Sequence, residues 1–442
     1  MNPILRRIQC GFGALALLLV AGLAHANSAT EPAPKNEEWW QARHAQMNER
    51  VKQGNADLLF IGDSITHGWE GEGAAVWEQY YAPRNAVNLG IGGDQTQHVL
   101  WRLENGNIDG LAPKLAVIMI GTNNHGANSA EEIAEGVTAI VRKLRNDLPE
   151  MTILLLGVFP RTDVAQEFQD KLKKVNTLIA DLAADKMVKY FDLGRFFLDD
   201  AGALPAAVMP DLLHPNAKGY KIWAEAIEPF VAELMGEYAN NTPPRGYVPL
   251  FNGTDLAGWK GLVEDPEKRA AMTPEELADR QKAADAEMNS TWSVQDGVLN
   301  FTGEGHSLCT ARDYQDIDML VDWKISPMGD SGVYLRGAPQ VQIWDPAQWP
   351  QGSGGLYNNE KNPSNPLVKA DNPIGEWNRF RIIMKGEKVT VYLNDVLVVD
   401  NVVLENYWNR ANPIYDSGQI ELQNHGNPLS FRNVFVREIP RD

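Results

Sequence analysis

Cysteine is nearly absent: Cys10 and Cys309 are the two in 442 residues. Cys10 lies in an N-terminal stretch with the marks of a removable signal, so no intramolecular disulfide is expected, and Cys309 reads as a small buried apolar residue. Basic residues are also scarce, 40 against 58 acidic ones, and the formal charge of −18 excludes the phosphate-rich partners that such a surface would repel, nucleic acid and anionic membranes. Long apolar runs are missing as well. The longest clear one, Ala14 to Val20, falls short of the roughly 20 residues of a membrane span. It follows Arg6 and Arg7 and precedes Ala24-His25-Ala26, so residues 1–26 read as a cleavable export signal. The expectation is a freely exported protein, periplasmic or extracellular, with no stable membrane insertion once the signal is removed.

The chain is too long for one ordinary domain, and its pattern changes partway. Over residues 36–238, short apolar runs at Leu58, Ala86, Leu115, Ile153 and Val188 alternate with amphipathic helices. The runs are almost continuously apolar, as strands covered on both faces must be, which predicts a parallel sheet in an α/β three-layer sandwich. Ser129 and Glu132 form a capping box ahead of one helix, and another runs from Lys218 to about Met235. Residues 239–246 are polar, carry Pro243-Pro244 and read as the linker. Over residues 247–440 alternating segments at short spacing predict an all-β sandwich with one helical insertion, Thr273 to Met288, and a hairpin turning at Asp296-Gly297.

Four short segments carry chemistry. Ile61-Gly62-Asp63-Ser64 follows the first strand, and a glycine there lets the chain turn so that the Ser64 hydroxyl stands at the carboxyl edge of the sheet. Taken alone it reads as a capping serine at a helix start. A serine needs a base, and His214 is the best candidate, with Asp211 three residues earlier to orient it. Taken alone that pair reads as a cap and a surface histidine. His67, His98 and His125 are rivals. A tetrahedral intermediate needs donors on its oxyanion, which Gly93 in the Gly90-Ile91-Gly92-Gly93 turn, Asn123 after the third strand, and the Ser64 amide would supply.

Together these segments resemble the SGNH (GDSL-type) hydrolase family, whose serine, glycine, asparagine and histidine match Ser64, Gly93, Asn123 and His214, with Asp211 as the triad acid. Asn88 to Leu103 and Gly121 to His125 are especially similar to the catalytic subunits of platelet-activating-factor acetylhydrolase. The resemblance implies a serine esterase acting on small acyl groups, acetyl foremost, without metal or cofactor. In the second half, Leu250 to Trp259, Gly332 to Arg336, Gly375 to Asn378 and Ile420 to Gly426 resemble the 3-keto-disaccharide hydrolase domain family, which implies a concanavalin-like jelly roll. Gln340 stands where that family usually has a glutamate, so an acid/base role there would be lost. Arg336, Trp344, Asp345, Trp349, Glu421 and His425 remain as candidate glycan-binding residues, with Trp344 and Trp349 expected exposed beside Pro346 and Pro350. The expected partner is an acylated glycan. Two alternatives stay open: a C-terminal domain that itself hydrolyses 3-keto-glycosides, and a lipid acetylhydrolase.

Overall fold

The computed structural model describes residues 27–441; the expected signal, residues 1–26, and Asp442 lie outside the described residues. The first half runs α1 (Glu38–Lys52), β1 (Leu58–Gly62), α2 (Ser64–His67), α3 (Ala74–Tyr80), β2 (Ala86–Gly90), α4 (Thr96–Glu104), β3 (Leu115–Met119), α5 (Ala130–Asp147), β4 (Thr152–Leu156), α6 (Gln166–Ala180), β5 (Val188–Phe191) and α7 (Ala217–Leu234). The five strands form one parallel sheet in the order β2-β1-β3-β4-β5. Side chains alternate between two cores. Leu59 and Ile61 of β1 pack with α4, α5 and α6, whereas Leu58 and Phe60 pack with α3 and α7. The three central strands β1, β3 and β4 are therefore apolar on both faces, which is why their sequences do not alternate.

This order places the site. β1 lies between β2 and β3, so the loops leaving the carboxyl ends of all three are neighbours at one sheet edge.

The second half runs β6 (Val248–Pro249), β7 (Trp259–Gly261), α8 (Pro266–Ala271), α9 (Pro274–Thr291), β8 (Trp292–Gln295), β9 (Val298–Phe301), β10 (Leu308–Thr310), β11 (Ile317–Ile325), β12 (Asp330–Leu335), β13 (Ala338–Trp344), β14 (Asn378–Lys385), β15 (Lys388–Leu393), β16 (Val396–Val403), β17 (Glu421–Leu422) and β18 (Leu429–Glu438). Two antiparallel sheets, β13-β12-β17-β10-β7 and β16-β15-β14-β11-β18-β9-β8 with β6 on β18, enclose one core in a jelly-roll-like sandwich. Asp296 and Gly297 both take positive φ, as a tight hairpin turn requires. Cys309 is buried, as expected.

The middle of the outer face of the larger sheet is covered, with Asp318, Leu320, Arg381, Tyr392 and Phe435 buried. It docks on the later turns of α7, where Asp318 takes Arg381 at 2.8 Å and Arg437 at 2.7 Å. Arg381 also donates to the Ala226 carbonyl at 2.6 Å, and Arg379 bridges Glu233 and Asp322. Ile383 and Tyr392 extend the apolar core around Phe191 and Phe230. The linking residues are held too: Arg245 N–H donates to Glu228, and Asn241 and Asn433 exchange two hydrogen bonds. No helix among the described residues is long and apolar enough to cross a membrane.

Candidate active site

Ser64 is the first residue of the single-turn helix α2 and is half-buried. The preceding Gly62 is required by close approach: a Cβ there would lie 2.1 Å from the Thr66 hydroxyl and 2.4 Å from the Met119 carbonyl. Ser64 Oγ stands 2.9 Å from His214 Nε2, and His214 Nδ1 stands 2.6 Å from Asp211 Oδ2. A carboxylate only accepts, so Nδ1 carries the proton and Nε2 is left to receive that of Ser64.

Asp211 is itself aimed. Its Oδ1 accepts the backbone N–H groups of Leu213 and His214, which turns Oδ2 toward the imidazole. Burial alone would raise its pKa, but the hydrogen bonds from the His214 ring and these amides outweigh it and hold the carboxyl below its ordinary value. Leu212 between them has φ of +62°, a conformation β-substituted residues avoid. It is held by Leu212 N–H to the Met209 carbonyl and Thr162 N–H to the Leu212 carbonyl.

The residues expected to meet an oxyanion, Gly93 and Asn123, lie on the neighbouring loops. A Cβ on Gly92 would lie 3.9 Å from Ser64 Cβ, so this loop borders the nucleophile. Gly93 has φ of +70°, which suits glycine. Asn123 donates one side-chain N–H to the Asp94 carbonyl at 2.9 Å, and Gln95 donates to the Asn123 carbonyl at 2.8 Å. The two loops are thereby laced together, with the second N–H of the Asn123 amide left to serve an oxyanion. Asn123→Ala is expected to lower turnover about 10²–10³-fold with a smaller effect on KM; steady-state kinetics check this, and a loss below roughly tenfold would remove Asn123 from the oxyanion hole.

A buried network beneath these loops holds them. Asp94 accepts Trp40 Nε1 at 2.6 Å and Arg102 Nε at 2.9 Å, and both members of the ion pair are fully buried. Arg102 also donates to Asn107 at 2.6 Å and lies 3.4 Å from the carbonyl of Gly62, at the end of the nucleophile strand. Asp63 is buried as well. Its Oδ1 caps Ile65 N–H, and burial pushes its carboxyl up to about 7.

Two of the rival histidines have other work. His98 Nδ1 accepts the Gln95 N–H, and His125 Nδ1 lies 2.7 Å from the Thr122 carbonyl. Among the described residues no group of three or more His, Cys, Asp or Glu side chains is placed to hold a metal ion.

In the second domain, the outward face of the smaller sheet carries one cross-strand row, Gln340-Tyr334-Glu421-Cys309-Lys260. Gln340 donates to Gln342 at 2.7 Å, Gln342 donates to Asp330 at 2.7 Å, and His425 lies 3.4 Å from Asp330. Burial lifts Glu421 to about 7, opposed by Arg269 at 4.0 Å.

Of the candidates only Glu421 stands in this row, and two others are committed elsewhere. Arg336 is turned inward onto Asp316 at 2.6 Å and the carbonyls of Gln315 and Tyr415. Asp345 caps the backbone of Met328 and Ala347. The expected exposure of Trp344 is also overturned: it is 6% exposed because Trp349 stacks on it at 5.2 Å and Tyr357 abuts it edge-on. Tyr357, not Trp344, is the exposed ring there.

The folded value of Glu421, near 7, lies above the ordinary 4.5, so the protonated form favours folding; this stabilisation is complete below the ordinary value and is lost as pH rises through the folded one. Glu421→Gln is therefore expected to unfold less readily than wild type at about pH 8, by on the order of 3 kcal/mol, and to match it near about pH 4. Thermal melts across that range check it.

The first half is similar to platelet-activating factor acetylhydrolase IB subunit alpha2 of Rattus norvegicus, 34% identical over 204 residues, which span 46% of this chain and 88% of that protein. Subunit alpha1 of Homo sapiens is 33% identical over 219 residues, 48% of this chain and 92% of its own. Residues 60–222 match the GDSL-like lipase/acylhydrolase family. The chain belongs to this family. Residues 246–437 match the 3-keto-alpha-glucoside-1,2-lyase-like domain. The structure of a catalytic mutant of an acetylxylan esterase from Geobacillus stearothermophilus is 20% identical over 41% of this chain and 95% of its own, with a TM-score of 0.34.

Membership of the GDSL-like acylhydrolases makes the first domain a hydrolase of esters. Several side chains around its site were not singled out from the sequence: Lys35, Trp39, Trp40, Asp63, Asp94 and Arg102. The signal for two of them was the Trp39-Trp40 doublet, which reads as ordinary helix filling until the fold brings it to the Gly93 loop.

Proposed function

We propose that this chain is an exported serine esterase that removes small acyl groups, acetyl foremost, from carbohydrates, with the C-terminal domain as its glycan-binding module. The observation that carries the esterase chemistry is the hydrogen-bonded line Ser64–His214–Asp211, at 2.9 and 2.6 Å. Ser64 Oγ attacks the ester carbonyl carbon while His214 Nε2 takes its proton, and the oxyanion is met by N–H donors of Ser64, Gly93 and Asn123. Collapse expels the alcohol oxygen, which takes the proton from His214. Water, deprotonated by the same imidazole, then releases the acid and restores Ser64.

The preference for a sugar over a lipid rests on the surface. Among the described residues of the first domain, the large hydrophobics that stand exposed are Trp39 and Leu178, a pair too sparse to bed an acyl chain. Export rests on the pattern of residues 1–26. Glycan binding rests on the polar row with Glu421 and on the nearby aromatic cluster of Trp344, Trp349 and Tyr357.

Acetate release from 4-nitrophenyl acetate, acetylated xylan and a short-chain acetyl phospholipid tests the reading. Sugar-selective, Ser64-dependent release supports it, and a preference for the phospholipid would replace it with the lipid reading. One observation favours a second activity: a buried carboxyl near 7, Glu421, in the half that matches the lyase-like domain. Turnover of a 3-keto-glucoside by Ser64→Ala protein, lost on adding Glu421→Gln, would establish it.

A further inference from the structure

The segment before α1 reaches the site from outside the matched family region, which begins at residue 60. It is pinned along its length. Thr96 Oγ1 donates to the Ala29 carbonyl at 2.7 Å, Ala33 N–H to the Gln97 carbonyl at 3.2 Å, and Lys35 Nζ to the Gly93 carbonyl at 2.7 Å. At its end stand two adjacent tryptophans with opposite fates. Trp40 is fully buried with its N–H on Asp94, whereas Trp39, one helical step around, is 53% exposed. That exposed indole borders the nucleophile. Trp39 Cη2 and Ser64 Cβ each lie 3.9 Å from the point where a Cβ on Gly92 would sit, so they are within twice that distance of one another. His67 Nδ1 faces the same point at 4.0 Å.

We propose that Trp39, Lys35 and His67 form a subsite for the sugar ring that carries the scissile ester, which rests on the carbohydrate-esterase reading above. A pyranose has an apolar C–H face and a rim of hydroxyls. The first matches a flat, exposed indole, and the second matches donors and acceptors at its border. Lys35 spends one N–H on Gly93 and has two more for hydroxyl or ring oxygens. Burial and the nearby Arg43 lower the His67 pKa, so its imidazole is neutral and can donate or accept. An acyl chain would want a continuous apolar wall instead. The single ring with polar flanks therefore belongs to the alcohol side of the ester, and the bond from Lys35 to the Gly93 carbonyl ties this subsite to the oxyanion loop.

The test compares kcat/KM for acetate release from acetylated xylo-oligosaccharides with that from ethyl acetate, which has no ring to stack. In Trp39→Ala the ratio of the two is expected to fall about tenfold, chiefly through a higher KM for the oligosaccharide. Trp39→Phe, which keeps a flat ring, is expected to recover most of that loss. Unacetylated xylotriose should inhibit wild type competitively and Trp39→Ala about tenfold more weakly. An unchanged ratio in Trp39→Ala overturns the subsite, as does an equal loss on both substrates that Phe does not repair. Failure of the underlying reading looks different. Wild type that hydrolyses ethyl acetate through Ser64 but not acetylated sugars overturns the carbohydrate assignment, and wild type no better than Ser64→Ala on either ester overturns the esterase.

Discussion

Ser64→Ala is expected to lower turnover of acetyl esters on the order of 10⁶-fold. The size follows from the division of labour at the site. His214 Nε2, 2.9 Å from Ser64 Oγ, has its other nitrogen held by Asp211, so its first task is to take the serine proton. Without the hydroxyl there is no nucleophile to activate, and what remains is the oxyanion donors acting on a slow attack by water, a residual of about 10³–10⁴ over the uncatalysed reaction. Folding should be unaffected, because Ser64 is half-buried and its hydroxyl lies against a half-exposed histidine. The check is acetate release by the purified full chain alongside its melting temperature. Unchanged melting with activity retained above roughly 1% would take Ser64 out of the nucleophile role.

The second large effect lies below the surface. Arg102→Met is expected to destabilise the first domain by about 3–5 kcal/mol, because it strands the Asp94 carboxylate in a fully buried position. In melting temperature this is a fall on the order of 10 °C. The buried setting decides the magnitude: an exposed pair of the same geometry would be worth about 0–1 kcal/mol. Adding Asp94→Asn should recover part of the loss, since the stranded charge is removed while Trp40 keeps an acceptor. Turnover should fall with stability, because the Asp94 carbonyl holds Asn123 and Arg102 lies against the Gly62 carbonyl. Calorimetry of the two single variants and the double variant closes the cycle. A double variant no more stable than Arg102→Met would mean that the lost packing of the arginine, not the lone charge, dominates.

The second domain shows where sequence patterning stops. β11 and β14 largely alternate in sequence, whereas β16 and β18 do not. β18 carries Asn433 at a φ of +51°, and its register against β11 shifts between Leu320 and Asp322, so the period of two is broken within the strand. The expectation for Trp344 failed for a different reason. Flanking prolines say that a backbone turns at the surface, but Trp349 and Tyr357 fold back over the ring, a contact between residues that pattern alone does not pair. Arg336 likewise looked available on a strand end; at φ of +54° it points to Asp316 instead.

The sequence by itself determined the α/β and all-β halves and the five parallel strands, and it nominated Ser64, Gly93, Asn123, Asp211 and His214 as the site. Those are properties of local periodicity and of residue types that few chemistries use together. Only the tertiary structure decided that β1 lies between β2 and β3, which sets the three loops side by side, and that Arg102 anchors both the nucleophile strand and the oxyanion loop. It alone exposed Trp39 beside Ser64 while burying Trp40. The physical reason is the same in each case. Strand order, burial of charge and the facing of two adjacent rings depend on contacts between residues distant in the chain, and periodicity carries no record of them.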